Sequence, residues 1–268
     1  MNPSVLITGA YGGMGKATAK ALKDKGFRVF ALDRRVEAAQ DGIIPIEADL
    51  TDEDSVKLAY EKVARLTDNL FYIIHFAGVY MLDSLVEMKS EEFEKIFKIN
   101  LFGVYYVNKT FLPMLKNGSG IIITTSELAP LDPLPFTGIY AVSKGALDKY
   151  AYSLRMELQL NDIKVSVLRA GAVNTGMLGA STDALDGFCQ RTQIYSCNAE
   201  RFKKIVDSVE ARCVEPSDIA KKVIKILNKK NPRFAYAINR NPLLLLLNIL
   251  PHRFQFWIIR RLLKNKEK

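Results

Sequence analysis

A phenol and an amine stand four positions apart in the segment IYAVSKGAL, at Tyr140 and Lys144. That spacing puts both side chains on one face of a helix. Tyrosine titrates at about pH 10 in water, which is too high for an efficient acid or base at neutral pH. A neighbouring ammonium favours the phenolate and lowers the pKa, so the pair can move a proton. The alternative is an ordinary helix surface, which is the better interpretation of such a pair in an arbitrary sequence.

A glycine cluster near the N-terminus predicts a nucleotide site. Gly9, Gly12, Gly13 and Gly15 fall within seven positions, after an apolar run and before a helical pattern. Glycines let the backbone come close to a pyrophosphate, and a helix N-terminus offers unpaired N–H groups. A strand, a glycine turn and a helix in that order indicate a dinucleotide-binding turn, with a purely structural turn as the alternative.

The second predicted strand ends in an acid that bears on the choice of cofactor. Asp33 follows Gly13 by 20 positions and can accept hydrogen bonds from the adenine-ribose hydroxyls. Its charge would repel a 2′-phosphate, which favours NAD(H) over NADP(H). Arg34 and Arg35 could instead pair with that phosphate, so NADP(H) stays possible. With this turn upstream and Ser126 at the end of a further strand, the catalytic interpretation of Tyr140 and Lys144 is preferred.

The elements that must position these residues alternate along the chain. Strands are predicted at 4–7, 28–32, 43–47, 72–76, 120–124 and 164–169. Helices are predicted at 15–24, 52–65, 90–115, 140–159 and 217–228. Apolar strands alternating with helices predict an α/β fold, a single Rossmann-type doubly wound parallel sheet with helices on both faces.

Composition excludes several classes of protein. The 268 residues are 49% hydrophobic and 25% charged, which is typical of a globular chain. No apolar run is long enough for a transmembrane helix, no signal peptide is recognised, and three cysteines without metal-ligand spacing suggest reduced thiols in the cytoplasm. The net charge of +9 is concentrated in 221–268, which holds 13 basic residues and one acid. We see no nucleic-acid motif and expect no metal.

Seven short motifs resemble those of the short-chain dehydrogenase/reductase family, and the pattern is similar to its hydroxysteroid and retinol dehydrogenase members. The motifs are TGAYGGMG (8–15), ADL (48–50), HFAG (75–78), KIN (98–100), TTSE (124–127), YAVSK (140–144) and RAGAVNT (169–175). The resemblance covers about residues 1–235 and implies NAD(P)-dependent interconversion of an alcohol and a ketone without a metal. It also implies a homodimer or homotetramer, assembled through the helices at 90–115 and 140–159.

The resemblance also implies the role of individual residues. Tyr140 would be the general acid/base, Ser126 would position the carbonyl, Lys144 would hold the nicotinamide ribose, and Asn100 would hold a water that relays protons. The residues implied for cofactor binding are Thr8, Gly9, Tyr11, Gly12, Gly13, Met14, Gly15, Asp33, Arg34, Asp49, Leu50, Ala77, Gly78, Tyr140, Lys144, Gly171, Val173 and Thr175.

Three positions depart from the family pattern. His75 and Phe76 replace a usual pair of asparagines, and we expect His75 to be structural. Ala170 stands where proline is usual. One extra residue lies between Ser126 and Tyr140, which makes Thr125 a minor rival for the serine role.

Two segments, 127–139 and 176–202, lie where the family carries variable substrate loops, the second being part of a substrate loop at about 176–212. The expected substrate-binding residues are Ser126, Leu128, Phe136, Tyr140, Met177 and Phe188, in apolar surroundings that suit a lipophilic alcohol or ketone such as a steroid. The alternative is that these apolar side chains close the loop onto its own core.

The chain divides into a catalytic domain at 1–240 and an amphipathic extension at 241–268. Pro251 splits this extension, and Arg253, Arg260, Arg261 and Lys264 share one face of its second segment, with Phe254, Trp257, Ile258 and Leu262 largely elsewhere. The extension could contact an anionic membrane surface or pack over the substrate pocket or a neighbouring subunit. Rival functions are a 3-oxoacyl-thioester reductase and a non-catalytic dinucleotide sensor.

Overall fold

A computed structural model describes residues 2–209 and 213–264. Its seven strands form one sheet in the order β3-β2-β1-β4-β5-β6-β7, and every pairing between these strands is parallel. The strands are β1 (Ser4–Thr8), β2 (Arg28–Asp33), β3 (Ile43–Glu47), β4 (Leu70–His75), β5 (Leu115–Ser126), β6 (Lys164–Ala170) and β7 (Ala235–Ile238).

Helices cover both faces of this sheet. They are α1 (Gly13–Lys23), α2 (Glu53–Ala64), α3 (Ser90–Phe97), α4 (Gly103–Phe111), α5 (Gly138–Leu158), α6 (Gly176–Arg191), α7 (Ser196–Val209), α8 (Pro216–Leu227), α9 (Pro242–Ile249) and α10 (His252–Leu263). The predicted doubly wound α/β fold is therefore confirmed.

Alternation along the buried strands divides the core between the two faces. In β1, Val5 and Ile7 pack with Leu22 of α1 and Val223 of α8. Leu6 points to the opposite face and packs in the cluster that α2, α4 and α5 cover. Because both faces of a parallel sheet are buried, β1, β2, β4 and the second half of β5 contain continuous runs of buried apolar residues.

The predicted helix at 90–115 is wrong in its continuity and its end. A π-helical turn at Lys98–Phe102 separates α3 from α4, and α4 ends at Phe111. Pro113, which has no N–H to donate, lies in a short 3₁₀ turn before β5.

The sequence patterns missed β7 and mistook 176–209 for a loop. Two helices, α6 and α7, occupy that segment, whereas residues 210–212 of the predicted loop and 265–268 of the extension lie outside the described residues. Gly176, Gly179 and Gly187 lower the helix propensity of α6, so its formation depends on packing against α7.

A third apolar cluster lies apart from the sheet. Its buried members are contributed by the segment after β4, by α6, by α7 and by the end of α10: Leu82, Leu185, Phe188, Ala199, Phe202 and Leu263. We call these six residues the outer cluster.

Candidate active site

The turn between β1 and α1 has no room for side chains at two of its glycines. Gly9 adopts φ +65°, and a Cβ there would lie 2.6 Å from the backbone nitrogen of Ala77. A Cβ on Gly15 would lie 2.1 Å from the carbonyl oxygen of Gly9. Both distances are far below van der Waals contact, so backbone approach requires these glycines.

Helix α1 begins at this turn with unpaired backbone donors. Gly12 is the N-cap and gives no side-chain cap, and the first turn of α1 contains no acidic residue. The amides and the positive end of the helix dipole therefore remain available to an anion such as a pyrophosphate. Gly13 lies directly against Thr175, since a Cβ on Gly13 would be 2.6 Å from the Thr175 methyl carbon. The turn and the segment after β6 thus meet, as a dinucleotide site requires.

The Asp33 carboxylate is held at the end of β2 beside the glycine turn. Its Oδ2 accepts a hydrogen bond from the Tyr11 amide at 3.0 Å, and its Oδ1 accepts one from the Arg34 amide at 2.8 Å. The Arg34 side chain is exposed. Asp49 is fixed in a similar way by Thr51, whose amide hydrogen bond lowers the pKa of the Asp49 carboxyl.

The remaining residues expected to bind the cofactor line the carboxyl ends of the strands. Thr8 and Ala77 lie at or just after the ends of β1 and β4, and Gly171 follows β6. Val173 forms a bridge with Val214. Met14 is half-buried against the α1 face of the sheet, and buried Leu50 packs on the opposite face.

The four residues that we expect to act in catalysis lie close together in the structure. Ser126 ends β5 and is buried, and its hydroxyl hydrogen-bonds the phenol of Tyr140 near the start of α5. Lys144 lies one turn further along α5, with its Nζ 5.9 Å from the centre of the Tyr140 ring. A Cβ added to Gly78 would lie 3.1 Å from both the Lys144 Nζ and the Asn100 Oδ1, so those two atoms border the same small space.

The π-helical turn positions Asn100. Its side chain is fully buried, accepts a hydrogen bond from the Val79 amide at 2.8 Å, and donates to the Val79 carbonyl at 3.0 Å and to Ser143 Oγ at 3.1 Å. These contacts tie the segment after β4 to α5. Such π-helical turns are frequent at functional sites.

Burial is the largest influence on the pKa values of Tyr140 and Lys144 in the protein alone. It raises the pKa of Tyr140 to about 12, with the Ser126 hydrogen bond acting the opposite way, and it lowers the pKa of Lys144 to about 8. The expected lowering of the Tyr140 pKa, which depends on a positive nicotinamide as well as on Lys144, stays a prediction. A low-dielectric site disfavours both charged forms.

His75 has a structural position, as the sequence suggested. It is buried, its Nε2 lies 2.9 Å from Asn108 Oδ1, and its Nδ1 lies 3.4 Å from Thr8 Oγ1. Burial lowers the pKa of His75 to about 4. The ring therefore connects β1, β4 and α4 in its neutral form.

Sequence reasoning missed a charged pair behind the site. Arg169 on β6 donates from Nε and Nη2 to the two oxygens of Asp148 on α5, at 3.0 and 2.7 Å. Thr125 Oγ1 donates to the same carboxylate at 3.3 Å, so Thr125 points away from the Ser126 side. A signal was present, because Asp148 lies four positions after Lys144 and hence one turn along α5.

Tyr80 is a second residue that the motifs did not identify. Its ring centre lies 4.8 Å from that of Tyr140, and its other side packs on the outer cluster. The only sequence signal is its place two residues after Gly78, at the carboxyl edge of the sheet. Tyr80 connects the catalytic group to the apolar surface where a substrate is expected.

The expected substrate residues divide into two groups. Leu128 and Met177 are half-buried beside the ends of β5 and β6. Phe136 packs against the rings of Phe188 and Phe202 at 4.8 and 5.6 Å. Phe188 has no exposed surface, so in this conformation it contacts other side chains of the outer cluster rather than an open pocket. The alternative, closure onto a local core, describes Phe188 well.

The C-terminal helices are seated on this side of the molecule. Asp132 contacts both helices, since its amide donates to Asn248 Oδ1 at 2.7 Å and its Oδ2 accepts from Gln255 Nε2 at 3.2 Å. The carbonyl of Leu263 accepts from Asn198 Nδ2 of α7 at 2.7 Å. One face of α10 thus packs on the body of the chain.

Comparison with known proteins assigns the chain to a family. Residues 3–186 match the family model for short chain dehydrogenases, and the chain belongs to that family. It is therefore an oxidoreductase of the dehydrogenase/reductase class, and its family binds NAD(P)(H) and acts on small alcohols and ketones.

Relatives of known name share much of the chain. A 3-ketodihydrosphingosine reductase of Bacteroides thetaiotaomicron is 30% identical over 237 residues, 87% of each chain. The uncharacterized oxidoreductase YbbO of Escherichia coli is 38% identical over 181 residues, which are 65% of this chain and 67% of YbbO. Human 17-beta-hydroxysteroid dehydrogenase type 2 is 30% identical over 190 residues, 66% of this chain and 49% of the human one.

A solved structure shows the same fold. A short chain dehydrogenase family protein from Francisella tularensis superposes with a TM-score of 0.74 at 23% identity, covering 89% of this chain and 97% of that one.

Proposed function

We propose that this chain interconverts a secondary alcohol and a ketone on a lipophilic substrate, with Tyr140 as the acid/base. The observation that carries the proposal is the convergence of Ser126, Tyr140, Lys144 and Asn100 beside the glycine turn. A non-catalytic sensor would have no use for a phenol held between a serine hydroxyl and a lysine.

The chain's own residues account for the proton side of the reaction. Ser126 hydrogen-bonds the substrate oxygen and orients it, while Tyr140 donates a proton to that oxygen in reduction or accepts it in oxidation. Lys144 would hold the nicotinamide ribose and, when charged, would favour the phenolate. Asn100 Oδ1 and Lys144 Nζ border the same small space beside Gly78, where Asn100 would hold a water that relays protons.

The glycine cradle fits a nicotinamide dinucleotide, which supplies or accepts the hydride when bound. Gly9 and Gly15 leave space only for backbone, and the N-terminus of α1 offers free amides to the pyrophosphate. We favour NAD(H), because the Asp33 carboxylate is fixed at the end of β2 and would repel a 2′-phosphate.

A lipophilic substrate is supported by two observations. Apolar and aromatic side chains lie beside Tyr140, with Tyr80 in contact and the outer cluster behind it. The relative that covers 87% of this chain is a 3-ketodihydrosphingosine reductase, and another is a 17-beta-hydroxysteroid dehydrogenase. A steroid or long-chain carbonyl compound is therefore the substrate class to test first.

Self-association through α4 and α5 is part of the proposal. Both helices leave large apolar side chains exposed, namely Phe102 just before α4, Tyr105, Val142, Tyr152 and Met156. Burial of this surface between two copies would support the expected homodimer or homotetramer. The division into a catalytic domain at 1–240 and an extension at 241–268, a reduced cytoplasmic environment, and the absence of a metal remain predictions.

Tyr140→Phe tests the function. We expect turnover of lipophilic alcohols and ketones to fall about a thousandfold, because the proton donor is lost, while cofactor binding changes little. The assay follows absorbance of the reduced nicotinamide, and binding is measured by its fluorescence. Tyr152→Phe, an exposed position on the same helix, is the matched control. Unchanged turnover in Tyr140→Phe would refute the proposed mechanism.

A further inference from the structure

The two C-terminal helices expose large apolar side chains at a density found nowhere else in the described chain. Seven of them between 242 and 263 are more than half exposed, the same number as among the described side chains of 2–240. They are Leu243, Leu246, Ile249, Phe254, Phe256, Trp257 and Leu262. An exposed apolar surface of this kind marks a docking site rather than ordinary surface.

The geometry of α10 separates a packed face from a free one. Gln255, Ile259 and Leu263 recur every four residues and form the packed stripe, with Gln255 and Leu263 buried. Phe254 and Trp257 lie on the opposite side, where both are about 60% exposed. The aromatic side chains therefore point away from the body of the protein because the other face is already occupied.

Basic residues share this free face, which corrects the expected separation of basic and apolar sides. Arg253, Trp257, Arg260, Arg261 and Lys264 lie at offsets of 0, 4, 7, 8 and 11, one side of a helix, and all are exposed. The Arg261 guanidinium lies 5.7 Å from the centre of the Trp257 ring. Aromatic rings interleaved with guanidinium groups suit the boundary between lipid head groups and acyl chains.

Contacts beneath the helices hold this face in place. Asp132 accepts from Gln255 and lies 3.2 Å from His252 Nε2, and Asn198 donates to the Leu263 carbonyl. The free face is thus presented on a fixed support, not on a loose tail, which lowers the entropy cost of docking.

We propose that the exposed face of α9 and α10 docks on an anionic lipid bilayer and lies in its interface. Charge decides between this and a second copy of the chain. Residues 242–264 carry four basic residues and no acid, so a symmetric contact between two such faces would bring like charges together. An anionic surface instead complements them, at about 1 kcal/mol for each basic residue. No helix of the described residues has the length and apolarity needed to cross a bilayer.

The single tryptophan of the chain is the probe. Trp257 is 59% exposed and lies at the centre of the proposed face. Full-length protein is mixed with phosphatidylcholine vesicles that contain or lack about a third of phosphatidylserine. We expect a blue shift of tryptophan emission and quenching by brominated acyl chains with the anionic vesicles, a much smaller effect with neutral ones, and reversal by salt.

Two double variants separate the electrostatic contribution to vesicle binding from the apolar one. Arg260→Gln with Arg261→Gln should weaken partitioning onto anionic vesicles about 25-fold, as expected for two lost electrostatic contacts. Phe254→Ser with Trp257→Ser, measured by co-sedimentation, should weaken it more than tenfold. The matched controls lie on α2, where Lys62→Gln with Arg65→Gln removes the same charge and Leu58→Ser removes an equally exposed apolar side chain.

The measurement needs neither substrate nor turnover. Its result is therefore independent of whether the proposed enzyme activity is correct. Equal binding of neutral and anionic vesicles, or equal losses in the α2 controls, would overturn the proposal. So would a change in particle size for Phe254→Ser with Trp257→Ser in solution without lipid, because this would identify a second copy as the occupant.

Discussion

The glycine turn and the C-terminal segment, described at 176–209 and 213–264, border the same candidate site, yet they are built in opposite ways. In the turn, contacts join backbone to backbone, such as the Gly12 amide to the Gly9 carbonyl at 3.2 Å. In the C-terminal segment, side chains meet across long stretches of sequence, such as Gln255 with Asp132 and Asn198 with the Leu263 carbonyl.

The difference explains why one region carries a motif and the other does not. A Cβ at Gly15 would collide with backbone, so only one residue type fits there. The outer cluster needs only apolar volume, which leucine, phenylalanine and methionine supply almost interchangeably. Backbone sterics therefore leave a short readable signature, whereas side-chain packing leaves a hydrophobic composition.

Phe188→Ala should have the largest effect of these variants, and this effect should be confined to the C-terminal segment. Truncating this fully buried ring should cost about 3–5 kcal/mol of local stability, and it should raise the KM for substrate while leaving cofactor affinity nearly unchanged. Hydrogen exchange resolved by segment would show the loss in α6, α7 and α10. Phe111→Ala, which truncates an equally buried ring in the sheet core, should instead destabilise the whole molecule. Identical exchange patterns for both variants would show that the two regions do not differ in this way.

Acid should lower the free energy of unfolding, because the buried ring of His75 in the sheet core is neutral in the folded chain. Its pKa is about 4 in the folded chain and about 6.5 when unfolded, so the unfolded state binds the proton first as pH falls. The stability provided by the neutral ring is complete above pH 6.5 and is lost towards pH 4, at a cost of about 3 kcal/mol.

Urea midpoints at pH 7.5 and 4.5 measure this loss. His75→Asn has no titrating ring and should show a smaller drop. An equal drop for the variant and the native chain would show that protonation of His75 does not cause the acid destabilisation.

Gly15→Ala tests the backbone limit of the turn. The added methyl would lie 2.1 Å from the Gly9 carbonyl oxygen, so the turn must open, at about 2 kcal/mol and a roughly 30-fold loss of cofactor affinity. Gly179→Ala is the control from the other region, since nothing lies within 4 Å of its added carbon and a helical alanine should stabilise α6 by up to about 1 kcal/mol. Thermal unfolding and cofactor titration are measured for both variants. An unchanged cofactor affinity in Gly15→Ala would contradict the proposal that the glycine turn binds the cofactor.

The smallest expected effect concerns cofactor choice. Asp33→Asn keeps a hydrogen-bond acceptor near the Tyr11 amide but removes the charge, and we expect discrimination against NADP(H) to fall about tenfold. The ratio of kcat/KM for the two cofactors measures it, with the exposed Asp41→Asn as the control. A native preference for NADP(H) would show that Arg34 and Arg35, not Asp33, set the choice.

The sequence by itself determined six of the seven strands, the glycine turn and the placing of Tyr140 and Lys144 on one helix. These depend on local periodicity and on backbone space, and both leave marks at short range. The helix break that turns Asn100 inward, the Asp148–Arg169 pair, and the seating of α10 on Asp132 were decided by the tertiary structure alone. Each joins segments distant in the chain, and the free energy that selects such contacts exists only once the chain has folded around them.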